Sequence, residues 1–296
     1  VKVAVVGASG QLGSSLCAVL EEGGLECEPL SHDRLEVADP DSVAEVLRAV
    51  RPDAVVNTAA FHRVDACEDD PQQAFAVNAL GALYVARACR EVGARCVYVS
   101  TDYVFDGARA EPYTEDDRPN PLNVYGASKL AGEHLVLQTC PDALVVRVAS
   151  LFGGRGARGK GTNFVLTVLD RAGRGETLRV VDDVRMSPTY TVDAARAVVQ
   201  LVRRGASGVF HVVNEGACTW YELARTVVRA AGLDVPVEPV PQSAYPSRAR
   251  RPANSALSAA RLAALGLSLR PWPEAVAEYV AQLVGHPAPG GLGRAL

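Results

Sequence analysis

The segment "VAVVGASGQLG" at residues 3–13 limits what this chain can fold into more than any other stretch. A valine-rich apolar run reads as a buried strand, and the amphipathic stretch over 11–22 reads as a helix. Between them Gly7, Gly10 and Gly13 stand at G-x-x-G-x-x-G spacing. Gly7 permits the tight turn, Gly10 lets a pyrophosphate approach the backbone, and Gly13 allows close helix packing. The helix N-terminus adds oriented N–H groups and a partial positive charge. Strand, glycine turn and helix in this order open a dinucleotide-binding sheet.

The pattern then repeats. "LECEPLS" (25–31), "DAVVNTA" (53–59), "RCVYVS" (95–100) and "ALVVRVA" (143–149) read as further buried strands. Helical patterns lie between them at 40–50, 71–91 and 123–138, two of them opened by Asp39-Pro40 and Asp70-Pro71 as acidic cap and first-turn proline. This alternation predicts an α/β fold, a Rossmann-type doubly wound parallel sheet over residues 1–150 that binds NAD(P). Past residue 150 the rhythm changes. A glycine- and arginine-rich loop (153–163) precedes a helix at 164–172, a strand at 177–181, a helix at 191–204 and a strand at 208–214. Thr219 and Glu222 form a capping box for the next helix. A proline-rich stretch (236–252), short helices at 258–265 and 273–284 and a loose tail close the chain. Residues 151–296 are expected to form a smaller α/β substrate-binding region, interleaved with the sheet through returns near 187–214.

Composition removes several function classes. A net charge of −4 gives no basic footprint for nucleic acid. No apolar run is long enough for a membrane span, and the N-terminus enters a strand without a signal-peptide pattern. Seven cysteines without CxxC spacing read as reduced thiols in a cytoplasmic protein. Five dispersed histidines, with no pair at ligand spacing, predict no metal site.

The chemistry is carried by "NVYGASKLAGEH" (123–134), where Tyr125 stands four residues before Lys129, one of three lysines with Lys2 and Lys160. On a helix the two share a face, and alone they read equally as a surface ring stacked on a lysine stem. The glycine loop upstream and a strand ending in Ser100-Thr101 shift the reading to catalysis. A hydride arriving at a carbonyl carbon leaves an alkoxide that needs a proton, and tyrosine is a weak acid for that task. An adjacent ammonium and an oxidised nicotinamide both favour phenolate and lower its pKa. Lys129 is expected to supply one charge and to hydrogen-bond the nicotinamide ribose. Thr101 is expected to donate to the substrate oxygen.

The glycine spacing with Tyr-x-x-x-Lys resembles the extended short-chain dehydrogenase/reductase superfamily. Its nucleotide-sugar dehydratases carry Asp-Glu after the threonine. Here "STDYVFDG" has Asp102 but Tyr103 in place of the glutamate, which favours simple ketone reduction over water elimination. Over nearly the whole chain, "GASGQLG", "RPDAVVNTAAFHRVDACEDDP", "AVNALG", "STDYVFDG", the Tyr113–Glu133 run, "NFV", "SPTY" and "ARRPANSAL" resemble the dTDP-4-dehydrorhamnose reductase family. The resemblance implies NAD(P)H-dependent reduction of dTDP-4-dehydro-6-deoxy-L-mannose to dTDP-L-rhamnose, with Thr101, Tyr125 and Lys129 catalytic. It sets Gly7, Gln11, Leu12, Ala59 and Ala60 on cofactor positions. The same resemblance implies that Val64, Asp65, Glu68, Asp102, Tyr103 and Val104 border the sugar. Departures are Ser150, where the family commonly has tryptophan, and Val184-Arg185-Met186.

From the residues themselves, "PLSHDR" at the end of the second strand offers Ser31, His32 and Arg34 to a 2′-phosphate. NADPH is therefore expected, Arg34 contributing, with NADH left open. Arg155, Arg158, Lys160, Arg185, Arg248, Arg250 and Arg251 supply cations for a nucleotide diphosphate, and Asn163 a contact to phosphate or sugar. A reductase of another nucleotide-linked 4-keto-deoxysugar, a non-catalytic NADP-binding regulatory subunit and a homodimer all stay open.

Overall fold

The computed structural model describes residues 1–154 and 162–285. Its centre is a six-stranded, wholly parallel sheet built from β1 (Lys2–Val6), β2 (Glu26–Leu30), β3 (Ala54–Asn57), β4 (Arg95–Thr101), β5 (Leu144–Val148) and β6 (Gly208–His211). The spatial order is β6-β5-β4-β3-β1-β2. The order reverses between β1 and β3, and the crevice beyond the carboxyl ends of those strands is where open α/β sheets bind ligands.

Strand side chains alternate in direction, and here both directions are apolar. Val3 and Val5 enter one core with Leu12, Leu16 and Leu20 of α1 (Gln11–Glu22). Ala4 and Val6 enter the other with Val43 and Leu47 of α2 (Pro40–Val50) and Val85 and Cys89 of α3 (Gly81–Val92). Helix α4 (Val124–Thr139) covers this second face through Val136. The aspartate-proline starts behave as expected: the Asp39 and Asp70 carboxylates accept first-turn N–H groups.

Helix α5 (Phe164–Gly173) begins the later region, and α6 (Thr191–Arg203) returns to the first core through Ala194, Val198 and Leu201. Helices α7 (Trp220–Ala230) and α8 (Trp272–Gly285) pack with α5 around a third core. The Thr219/Glu222 capping box is present at the start of α7.

Two local expectations need correction, and one further element carries no signal in the sequence. The helix expected over 71–91 is a turn of α-helix (Pro71–Phe75), a π-helical turn (Ala76–Leu80) and then α3. The buried Asn78 amide both accepts from Phe61 N and donates to Phe61 O, and the wider turn keeps it facing inward. The proline-rich stretch contains a strand, Val237–Val240, parallel to Leu178–Val181. Pro239 is tolerated there because this pair is all edge. A short helix at Val64–Asp69 carries no cap signal and was not anticipated.

Candidate active site

A cleft of about 650 Å³ opens at the carboxyl ends of β1, β3 and β4, within the size range of small-molecule sites. Gly7, Gly10, Gln11, Leu12 and Gly13 line one end, with Ala59 and Ala60 beside them. Gly7 holds φ at +79°, the left-handed region that glycine enters without strain. A Cβ on Gly13 would stand 2.3 Å from the Gly7 carbonyl oxygen, so the helix can press on the loop only as glycine. Gly10 caps α1 without a side-chain bond, which leaves the first-turn N–H groups to an anion. This is the cradle a dinucleotide pyrophosphate requires.

Thr101, Asp102, Tyr103, Tyr125 and Lys129 line the other end. β4 ends on Thr101, and Tyr125 and Lys129 lie one turn apart on α4. Asn123 caps that helix by accepting from Gly126 N at 2.8 Å, and Glu68 accepts from Val124 N at 2.8 Å. The Thr101 hydroxyl donates to Asp102 Oδ1 at 3.0 Å, whereas Asp102 Oδ2, buried, completes no hydrogen bond. Burial pushes the Asp102 carboxyl up to about 6 against the pull of the Ser255 and Thr101 hydroxyls. Burial also pushes the Tyr125 phenol up, with the neighbouring Thr101 hydroxyl the first opposing influence. The expected lowering of that phenol is therefore not met without ligands. The Lys129 ammonium is engaged elsewhere: Nζ donates to Val99 O at 2.6 Å and sits 4.0 Å from the Tyr98 ring centroid. Burial pulls Lys129 down to about 7. The Tyr103 ring meets Tyr125 edge-on at 6.0 Å.

A sequence profile of the family described as RmlD substrate binding domain matches residues 1–284. The chain belongs to that family. It is 40% identical over 287 residues to the dTDP-4-dehydrorhamnose reductase of Mycobacterium tuberculosis, covering 95% of this chain and 92% of that protein. It is 39% identical over 277 residues to the dTDP-4-keto-6-deoxy-D-glucose reductase of Streptomyces niveus, covering 93% and 94%. The crystal structure of a dTDP-4-dehydrorhamnose reductase from Bacillus anthracis, in complex with NADP, matches with a TM-score of 0.90 at 35% identity over 95% of this chain and 99% of that one.

The cleft of this RmlD-family chain does not gather every residue singled out from the sequence. Val64 and Arg251 line it. Val104 is instead fully buried in a core cluster with Phe105 and Tyr113, outside the cleft lining. Asn163 caps α5 and spends its amide on Gln11, Gly153 O and Tyr279, so the expected phosphate or sugar contact is replaced by internal bonds. Arg34, expected at a 2′-phosphate, turns to Glu28 and lies outside the lining, which His32 and Glu36 occupy. Asp65 anchors the later loop by accepting from Ser247 Oγ, Ala249 N and Arg251 Nη2. Arg248 pairs with Asp69, and Arg185 reaches the Ala217 carbonyl. Arg155, Arg158 and Lys160 lie outside the described residues.

One further lining residue carries no functional signal in the sequence. Trp220 reaches the cleft from the first turn of α7, its ring edge-on to Phe164 at 4.8 Å. In sequence it is merely the residue after a cap. Ser150, noted as a departure, lines the cleft with φ at +42°, a left-handed backbone rare outside glycine. Among the described residues no group of three or more His, Cys, Asp or Glu could hold a metal ion, and no helix is long and apolar enough to cross a membrane.

Proposed function

We propose that this protein reduces the 4-keto group of dTDP-4-dehydro-6-deoxy-L-mannose to give dTDP-L-rhamnose, with NADPH as reductant. The observation that carries the reading is one cleft with an uncapped α1 N-terminus and glycine cradle at one end and Thr101, Tyr125 and Lys129 at the other. The backbone at Gly7, Gly10, Gln11, Leu12 and Gly13 would hold the pyrophosphate, Ala59 and Ala60 would wall the cofactor, and Lys129 would meet its ribose. The bound nicotinamide supplies the hydride. As the carbonyl π pair moves onto oxygen, the Tyr125 O–H gives that oxygen its proton and is left as phenolate. Solvent restores the proton after product leaves. An alkoxide is a far stronger base than a phenolate, so the transfer runs downhill even from a phenol that burial has made a weaker acid. Thr101 would orient the substrate oxygen. Val64, Asp102, Tyr103 and Arg251 line the same cleft and are candidates for the sugar and diphosphate.

The names of the relatives support this substrate class, and the NADP in the Bacillus anthracis structure supports the cofactor. A second substrate within the class is favoured by one observation. Ser150 stands in the cleft at an unusual backbone angle where the family commonly has a tryptophan, and the Streptomyces niveus relative is named for a different 4-keto epimer. Supplying the purified protein with NADPH and each 4-keto-6-deoxy sugar nucleotide tests both. Turnover on dTDP-4-dehydrorhamnose is the expected result. Turnover on another epimer alone would overturn the substrate, and none on any would leave a non-catalytic role.

A further inference from the structure

Behind Lys129 lies a buried charge cluster that the reduction chemistry has not used. Glu133 follows Lys129 by four residues on α4, so the two share a helix face. Its carboxylate takes a two-pronged contact from Arg147 on β5, Nε to Oε1 at 2.9 Å and Nη2 to Oε2 at 2.7 Å, and also accepts the Ser100 hydroxyl. Ser100, Glu133 and Arg147 are each no more than 3% exposed. Arg147 lies 5.1 Å from the Phe105 ring centroid and 3.5 Å from His211 Nε2. Burial, then Arg147, holds His211 down to about 3, so it stays neutral and leaves the pair's charges intact.

A buried pair of this kind is a weak device for stability, since well-packed apolar residues often serve as well or better. Its place beside Lys129, the one buried lysine among the described residues, calls for another account. We propose that Glu133, held by Arg147 and Ser100, is a positioning residue that keeps the Lys129 ammonium charged and seated at the end of β4. The inference rests on the catalytic reading of Lys129. The ammonium has the neutral Tyr98 ring beneath it on β4, Tyr125 and Glu133 on its own helix, and Arg147 on β5 only beyond Glu133. Burial favours the neutral amine, and Glu133 is the carboxylate that opposes it. Ser100 ties the same carboxylate to the residue preceding Thr101, so charge and strand end are set together.

With only Lys2, Lys129 and Lys160 in the chain, ¹³C-lysine labelling gives three titrating signals, and Lys129→Met assigns the buried one. In Glu133→Gln the Lys129 midpoint is expected to fall by roughly half a pH unit or more, with the alkaline limb of turnover moving the same way. Glu133→Asp, which keeps the charge, should hold the midpoint near that of the parent. Glu133→Gln leaves Arg147 buried and unpaired and can fail to fold, so Glu133→Gln/Arg147→Met removes both charges together; a smaller downward shift is expected, because the more distant Arg147 repulsion is lost with the nearer Glu133 attraction. An unchanged midpoint in the folded double variant overturns the proposal, because a merely structural pair would alter melting without moving the titration. The titration is read in the protein without substrate. Loss of all turnover in the parent would fault the proposed function and leave this result standing.

Discussion

Asp102, Tyr125 and Lys129 in the cleft are all held against their solution preferences, and the cost at Asp102 is measurable. Asp102 keeps its proton up to about 6, above the usual carboxylate value of about 3.9. Between those pH values the folded chain binds more protons than the unfolded one, so stability falls as pH rises through that window. Above it the cost is on the order of 1–3 kcal/mol. Asp102→Asn keeps the Oδ1 acceptor for Thr101 and removes the charge. It is expected to raise Tm at about pH 8 and leave it unchanged near pH 3, below both values; a Tm that moves equally at both pH values would remove ionisation as the cause. Tyr125→Phe loses the proton donor but keeps the ring. Turnover should fall roughly 10²–10⁴-fold while NADPH binding, read by fluorescence, survives. That Thr101, Tyr125 and Lys129 share one cleft is legible in the sequence, because a strand end and one helical turn suffice to place them. The internal partners of Arg34, Val104 and Asn163 carry no local signal, because side-chain direction there is decided elsewhere: by Glu28, by the core around Phe105, and by Gln11 and Tyr279.

Among the elements, the corner after β5 stores strain at Ser150. A left-handed residue with a Cβ costs about 1–2 kcal/mol, part of which glycine would give back in unfolded-state entropy. Ser150→Gly should therefore raise stability by roughly 0.5–1 kcal/mol in denaturant unfolding. A destabilised variant would mean that the Ser150 side chain anchors the corner. Long elements with two-faced apolar patterns or capped starts, such as β1, α1 and α2, were readable to within a residue or two of their ends. The π turn at Ala76–Leu80 was not, because it answers to Phe61, a contact outside any local period. Nor was the strand Val237–Val240, where proline is acceptable only because the sheet has two strands and no interior. Trp220 reached the cleft through packing of the third core, which no local signal describes.

At the scale of the molecule, the first half of the chain does not complete its own sheet. β6 pairs with β5 from sixty residues further on, and α6 packs against α1. A fragment ending at residue 150 leaves the outer edge of β5 unpaired and the apolar side of α1 open. It is expected to aggregate or stay partly folded, and to show no cooperative melt and no NADPH fluorescence enhancement. A monomeric, cooperatively melting fragment would contradict this.

The same threading sets a timetable for the nascent chain. Translation at about 5–20 residues per second takes on the order of 3–12 s to pass from β5 to the end of β6. Through that interval the emerging polypeptide carries the glycine cradle at β1 while the far edge of the sheet, at β5, stands open. Synonymous changes that slow ribosomes between residues 150 and 211 would lengthen the exposure without altering one atom of the product.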